Sequence, residues 1–170
     1  MSDRMSDATS TATILLVDDE INVTEALKRS FRREPYTFVT ATSGEAALQV
    51  LASRHVDVVV SDEQMPGMSG SEFLATVRAL YPHTIRMILS GQASLEAAVR
   101  AINEGEVYRF FLKPCNPTDL LFTIQRALAH KQLEEQSRRL LREFQKQAAI
   151  LDKLKHTGED LLRLDTDDQG

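Results

Sequence analysis

One cysteine, Cys115, occurs in 170 residues, so no internal disulfide and no cysteine-based metal cluster can form. His55, His83, His130 and His156 are scattered without metal-ligand spacing. No apolar run approaches the roughly 20 residues needed to cross a bilayer. The opening MSDRMSDATSTAT lacks the apolar core of a signal peptide and reads as a disordered arm over residues 1–11. A net charge of −5 argues against nucleic-acid binding by bulk electrostatics. The expectation is a soluble cytoplasmic protein with no direct nucleic-acid or membrane partner.

What is present is a regular alternation. Five β-like runs stand out: ATILLV (12–17), YTFVTA (36–41), VDVVVS (56–61), TIRMIL (84–89) and VYRFFL (107–112). Segments with helical spacing separate them: Val23, Ala26, Leu27, Phe31; then Ala46, Ala47, Val50, Leu51; then Phe73, Leu74, Val77, Leu80; then Leu95, Ala98, Val99, Ile102. Strands alternating with helices imply parallel crossovers and a sheet covered on both faces. ILLV and VVV are continuously apolar, as strands buried on both sides should be. The expected fold is α/β, a (βα)5 doubly wound parallel sheet over 12–130.

Asn116-Pro117-Thr118 then opens a fifth helix, with asparagine as N-cap and proline at the first helical position. No breaker follows until Gly158, so a helix from Thr118 to Lys155 would run roughly 55–60 Å. Leu133, Leu140 and Leu154 share one heptad position, and Phe144 and Leu151 the other; Ser137 and Gln147 interrupt the seam. Glu134–Arg138 and Glu135–Arg139 are spaced as i,i+4 pairs. Residues 131–157 are therefore expected to form a helical extension, a short coiled coil or a helix docked on a partner. Residues 158–170 read as a short helix and an acidic tail.

In an open parallel sheet, ligands bind outside the carboxyl ends of the strands. The first run is followed by Asp18-Asp19-Glu20, the third by Asp62, the fourth by Ser90-Gly91 and the fifth by Lys113-Pro114. Each alone has an ordinary explanation: Asp18 or Asp19 as a helix cap, Ser90 as turn chemistry, Lys113 as a solvated charge. Together they bring carboxylates, a hydroxyl and an ammonium to one edge. Clustered carboxylates repel unless a cation sits among them, and a hard divalent ion such as Mg²⁺ suits oxygen ligands. A carboxylate can also attack phosphorus to give an acyl phosphate, with the hydroxyl and ammonium as donors to the phosphoryl oxygens.

LLVDDE, VVVSDEQMPGMSG, ILSG and FFLKP, in that order, resemble the signature of response-regulator receiver domains, the CheY-like family with the flavodoxin-like fold. The resemblance spans about residues 12 to 130. It implies that Asp62 is the phosphoacceptor, charged by a sensor histidine kinase or phosphotransfer protein. It further implies that Asp19, Asp62 and the backbone carbonyl of Gln64 ligate Mg²⁺, with Asp18 acting through water. Lys113 would pair with the phosphoryl group and Ser90 would hydrogen-bond it. Gln64 and Gln92, each two residues beyond one of these positions, would tune the lifetime of the phosphorylated state.

Family members commonly carry a Gly-Ala pair shortly before the last strand, whereas this chain has GEVYRFFLKP. Phe110, three residues before Lys113, is the candidate switch aromatic together with Ser90; Tyr108 is the alternative if the register shifts. The VYRFFLKP form is similar to receivers joined to HD-GYP-type phosphodiesterase domains. A homodimer is implied through the face made by the fourth predicted helix, the fifth strand and the fifth helix, and through the C-terminal helix. A haloacid-dehalogenase-like phosphatase is the enzyme-class alternative. It requires an acid two residues after the nucleophile, where this chain has Gln64, so the chain is expected not to be an enzyme beyond its own phosphorylation and dephosphorylation. His130 and His156 lack the flanks of a kinase phosphoacceptor box and read as solvated.

Overall fold

The computed structural model describes residues 11–91, 98, 99, 102 and 107–166. Its elements run β1 (Thr13–Val17), α1 (Ile21–Ser30), β2 (Thr37–Ala41), α2 (Gly44–Ser53), β3 (Val58–Asp62), α3 (Gly70–Leu80), β4 (Ile85–Ser90), β5 (Arg109–Leu112) and a C-terminal helix, Pro117–Thr166. All strand pairs are parallel, in the order β2-β1-β3-β4-β5. This is the doubly wound sheet expected from the alternation. Residues 1–10 of the expected arm and the last tail residues, 167–170, lie outside the described residues, as does most of the fourth predicted helix.

Every residue of β1 and of β3 is buried, which is why their sequences lack the apolar–polar alternation of a one-sided strand. Alternate side chains supply the two layers. Leu15, Val17, Val59 and Ile88 pack with Ala47, Leu51, Phe73, Leu74 and Val77 of α2 and α3. Ile14, Leu16, Val58, Val60 and Met87 pack with Phe31, Leu120, Ile124 and Ala127. The start of the C-terminal helix is thereby part of the core.

Three details depart from the expected periodicity. In α1 the buried position is Thr24 rather than Ala26, which is exposed. The Thr24 hydroxyl donates to the Ile21 carbonyl at 3.0 Å, so its polar atom is satisfied inside the layer. Leu80, at the end of α3, is 63% exposed. At Gly158 no boundary appears, since the helix continues to Thr166. A single glycine costs a helix only about 1 kcal/mol relative to alanine, too little to end one flanked by good helix formers.

The chain divides into two compact units, Met1–Leu128 and Ala129–Gly170. In the second, Arg138 pairs with Glu134 as spaced, whereas Arg139 pairs forward with Glu143 at 3.5 Å rather than back with Glu135. Such exposed pairs contribute little to stability. No described helix is long and apolar enough to cross a membrane.

Candidate functional site

Strand order reverses direction between β1 and β3, which opens a crevice at their carboxyl ends. Asp18 and Asp19 follow β1, and Asp62 is the last residue of β3. Asp18 and Asp62 are buried while Asp19 is exposed; carboxylate oxygens of the three lie within 4.8 Å of one another. Lys113, just beyond β5, reaches in from the side, with Nζ 2.9 Å from Asp62 Oδ1 and 3.1 Å from Asp18 Oδ2. Ser90, buried at the end of β4, accepts the Lys113 amide on its carbonyl at 2.9 Å. That bond holds the two strand ends together beside Asp62.

Backbone geometry fixes Asp62. The Glu63 amide donates to Leu89 O at 2.8 Å, and the Gly70 amide returns to Glu63 O at 3.0 Å. Gly67, at φ +77, takes the left-handed conformation that a side chain disfavours and turns the chain. Gly70 then starts α3 so close to β3 that a Cβ there would overlap the Asp62 carbonyl oxygen and lie 2.8 Å from Glu63 Cα. Ser69 opens α3 with a reciprocal capping box, accepting the Glu72 amide while the Glu72 carboxylate accepts the Ser69 amide.

Two buried carboxylates share one ammonium. Burial pushes the Asp18 carboxyl above its usual range, against the lowering effect of the Glu20 amide and of Lys113. Burial pulls the Lys113 ammonium down, but its hydrogen bonds to Asp62 and Asp18 more than reverse this, leaving it above the usual lysine value. The Lys113 shift reflects the two carboxylates around it, whereas the Asp18 shift reflects chiefly its burial. Both Asp18 oxygens are engaged, Oδ1 by the Glu20 amide at 2.9 Å and Oδ2 by Lys113. The donor set is hard oxygen throughout, which fits a small divalent cation.

The sequence-predicted residues Asp18, Asp19, Asp62, Ser90 and Lys113 thus meet at one edge. Gln64 is exposed just beyond it, and Gln92 lies outside the described residues. Phe110 is half-buried against the α2/α3-side core, whereas Tyr108 is 46% exposed and precedes β5. Gly70 was not anticipated as part of the site. Nothing in its local pattern distinguishes it from an ordinary helix start, and only the α3–β3 approach reveals it.

The model of the response regulator receiver domain family matches residues 14–125. The chain is 34% identical over 140 residues to the hydrogenase transcriptional regulatory protein HoxA of Cupriavidus necator, covering 82% of this chain and 29% of that protein. It is 35% identical over 115 residues to the response regulator protein FleR of Pseudomonas aeruginosa, covering 68% and 24%. It therefore spans less than a third of the length of these curated relatives. Among solved structures, the signal receiver domain of an HD domain-containing protein from Pseudomonas fluorescens shares 39% identity at TM-score 0.68, covering 72% of this chain and 98% of that one. A structure described as adenylate cyclase from Rhodopirellula baltica shares 32% at TM-score 0.72, covering 78% and 98%. Receiver domains are phosphoacceptor signalling modules, phosphorylated by histidine kinases, and the acidic triad is of the type that binds Mg²⁺ in them. With its 2-1-3-4-5 parallel sheet and the Asp18–Asp19–Asp62 pocket at the crevice, this chain belongs to the response-regulator receiver family.

Proposed function

We propose that Asp62 accepts a phosphoryl group from a sensor histidine kinase or phosphotransfer protein, and that the charge it gains changes the partners of the β5 face. One observation carries this reading. Asp62 is a buried carboxylate at the end of the central strand, 2.9 Å from an ammonium and clustered with two further acids.

An Asp62 carboxylate oxygen attacks phosphorus, the P–N bond to the donor imidazole breaks, and the imidazole leaves with that electron pair. Asp19, Asp62 and the Gln64 carbonyl would hold Mg²⁺, with Asp18 reaching it through water because both its oxygens are already engaged. The bound cation supplies positive charge to the phosphoryl oxygens and lets three acids share the pocket. Lys113 exchanges its Asp62 contact for a phosphoryl oxygen, and Ser90 donates to another. Gln64 and Gln92 set how readily water aligns for hydrolysis.

Ser90 moving toward the phosphoryl group draws Phe110 inward and reshapes the adjacent surface. That surface holds a groove of about 630 Å³ lined by Ala98, Phe110, Phe111, Leu112, Phe122 and Thr123, where Leu112 and Phe122 are 58% and 59% exposed. The receiver domain occupies 12–130 and the helical extension follows from 131. A homodimer through this face and the C-terminal helix is the output we favour, in a cytoplasmic protein. The VYRFFLKP strand and the HD domain-containing relative support a context of HD-GYP-type regulators.

The test is labelling with a small radioactive phosphodonor in the presence and absence of Mg²⁺. Label should be acid-stable, base-labile, Mg²⁺-dependent and lost in Asp62→Asn. Undiminished labelling of that variant would assign the chemistry elsewhere.

A further inference from the structure

The C-terminal unit carries an apolar seam whose layers say which occupant it fits. With Leu133 taken as heptad position d, Leu140, Leu154 and Leu161 are also d, and only Gln147 breaks that series. Ser137, Phe144, Leu151 and Gly158 take position a. The leucines at d, with Phe144 and Leu151, are 61% to 70% exposed. From residue 131 to 163 no charged side chain occupies a or d, and only Glu134, Glu143 and Lys155 stand on the flanking e and g positions. Leucine at d is the residue that two-stranded parallel coils carry there, whereas position a here holds none of the β-branched residues that accompany it in them.

We propose that this helix pairs with the same helix of a second copy of the chain, parallel and in register, with Gln147 as the polar layer that sets the register. The proposal rests on the homodimer reading above and adds its sense and alignment. In parallel register each layer meets itself. Leucine faces leucine at 133, 140, 154 and 161, the Gln147 amides can donate to and accept from each other, and the Ser137 hydroxyls do likewise.

Antiparallel alignments match less well. Placing Leu140 opposite Leu151 sets Ser137 against Leu154 and Gln147 against Phe144, burying polar groups on apolar ones. Placing Leu133 opposite Leu151 repairs those layers by facing Ser137 with Gln147. It then sets Leu154 against His130 and Leu161 opposite Thr123, which lies in the other unit's fold. Only the parallel register uses all four d leucines. In this register no like charges meet across the seam either, since Glu143 at g neighbours Ala148 at e, and Glu134 at e neighbours Ala129 at g.

The test uses the full chain with Cys115→Ser, carrying either Ser137→Cys or Leu154→Cys, under mild oxidation. A disulfide needs Cα atoms within about 7 Å. Each single variant should give a covalent homodimer, and mixing the two should give no heterodimer. Covalent dimer only in the mixture would overturn the parallel sense. Gln147→Leu should lower the dissociation constant by about tenfold, equivalent to 1.4 kcal/mol, and should let the mixed 137–154 product appear, because Gln147 would no longer oppose the antiparallel alignment that sets it against Phe144 and brings 137 to 154. A strict register in that variant would remove Gln147 from its role. Sedimentation velocity of the parent chain, with and without beryllofluoride, separates the two levels: monomer throughout overturns the homodimer reading itself, whereas a dimer without homotypic crosslinks overturns only this alignment.

Discussion

At the residue scale, the two adjacent acids after β1 have different surroundings, and different roles are proposed for them on that ground. Asp18 is buried with one oxygen on the Glu20 amide and the other on Lys113, whereas Asp19 is exposed beside Asp62. Asp19→Asn should therefore weaken Mg²⁺ binding more than Asp18→Asn in a calorimetric titration, and equal losses would mean the roles are misassigned. Lys113→Ala should keep the metal yet fail to pass on the signal, since it would remove the proposed phosphoryl contact and not a ligand. Gly70→Ala is a different kind of change. Its methyl would meet backbone on β3, which cannot rotate away. Overpacking of this sort costs typically 1–3 kcal/mol. We expect a lower denaturation midpoint together with slower Asp62 labelling, because the displaced backbone is that of Asp62 and Glu63. Asp18, Asp62, Ser90 and Lys113 were readable because each directly follows a strand-like run, and Asp19 because it stands next to Asp18. Gly70 was not, since its constraint arises only when α3 packs on β3, and neither was the sharing of one ammonium by two acids.

At the element scale, the reliable signals were those in which one residue does one local job. Asn116 caps the C-terminal helix, its side-chain oxygen accepting the Thr118 amide at 2.9 Å. Asn116→Ala should cost about 1 kcal/mol, within the usual 0.5–2 kcal/mol for a lost N-cap. Asn116→Asp should keep most of it, and thermal melts of the two variants distinguish a cap from a residue of no consequence. Continuous apolar runs likewise identified β1 and β3 as central, because only strands covered on both faces can bury every residue. The weaker readings concern positions where tertiary context outweighs local preference. Thr24 is buried because its hydroxyl finds a backbone carbonyl within its own helix. Gly158 stays helical because the cost of one glycine is small beside the helix on either side of it. β5 is the least buried strand, with Arg109 and Leu112 exposed, and its register could not be chosen from sequence between Phe110 and Tyr108. In the fold Phe110 packs on the core, while Tyr108 precedes the strand.

At the scale of the whole molecule, the question is whether the helix beyond residue 129 serves folding or association. Both core clusters are complete by Ala127, with Leu128 packed at the margin of one of them. A chain ending at Ala129 should therefore fold cooperatively and label on Asp62 at close to the full-length rate. What it should lose is self-association. Leu133, Leu140, Phe144 and Leu151 are all well exposed in the single chain. Each would contribute roughly 1.5–3 kcal/mol on full burial against a second copy. Leu140→Asp combined with Phe144→Asp places two charges in adjacent layers of that seam, where desolvation opposes pairing. The double variant should then sediment as the truncated chain does, while its Asp62 labelling stays intact. If instead the full chain is monomeric with and without a phosphoryl mimic, and the double variant behaves identically, the seam belongs to a different protein and the helix is a tether to it. Unfolding of the truncated chain would carry a third meaning: residues past 129 would then be needed by the receiver itself, which their near-uniform exposure argues against.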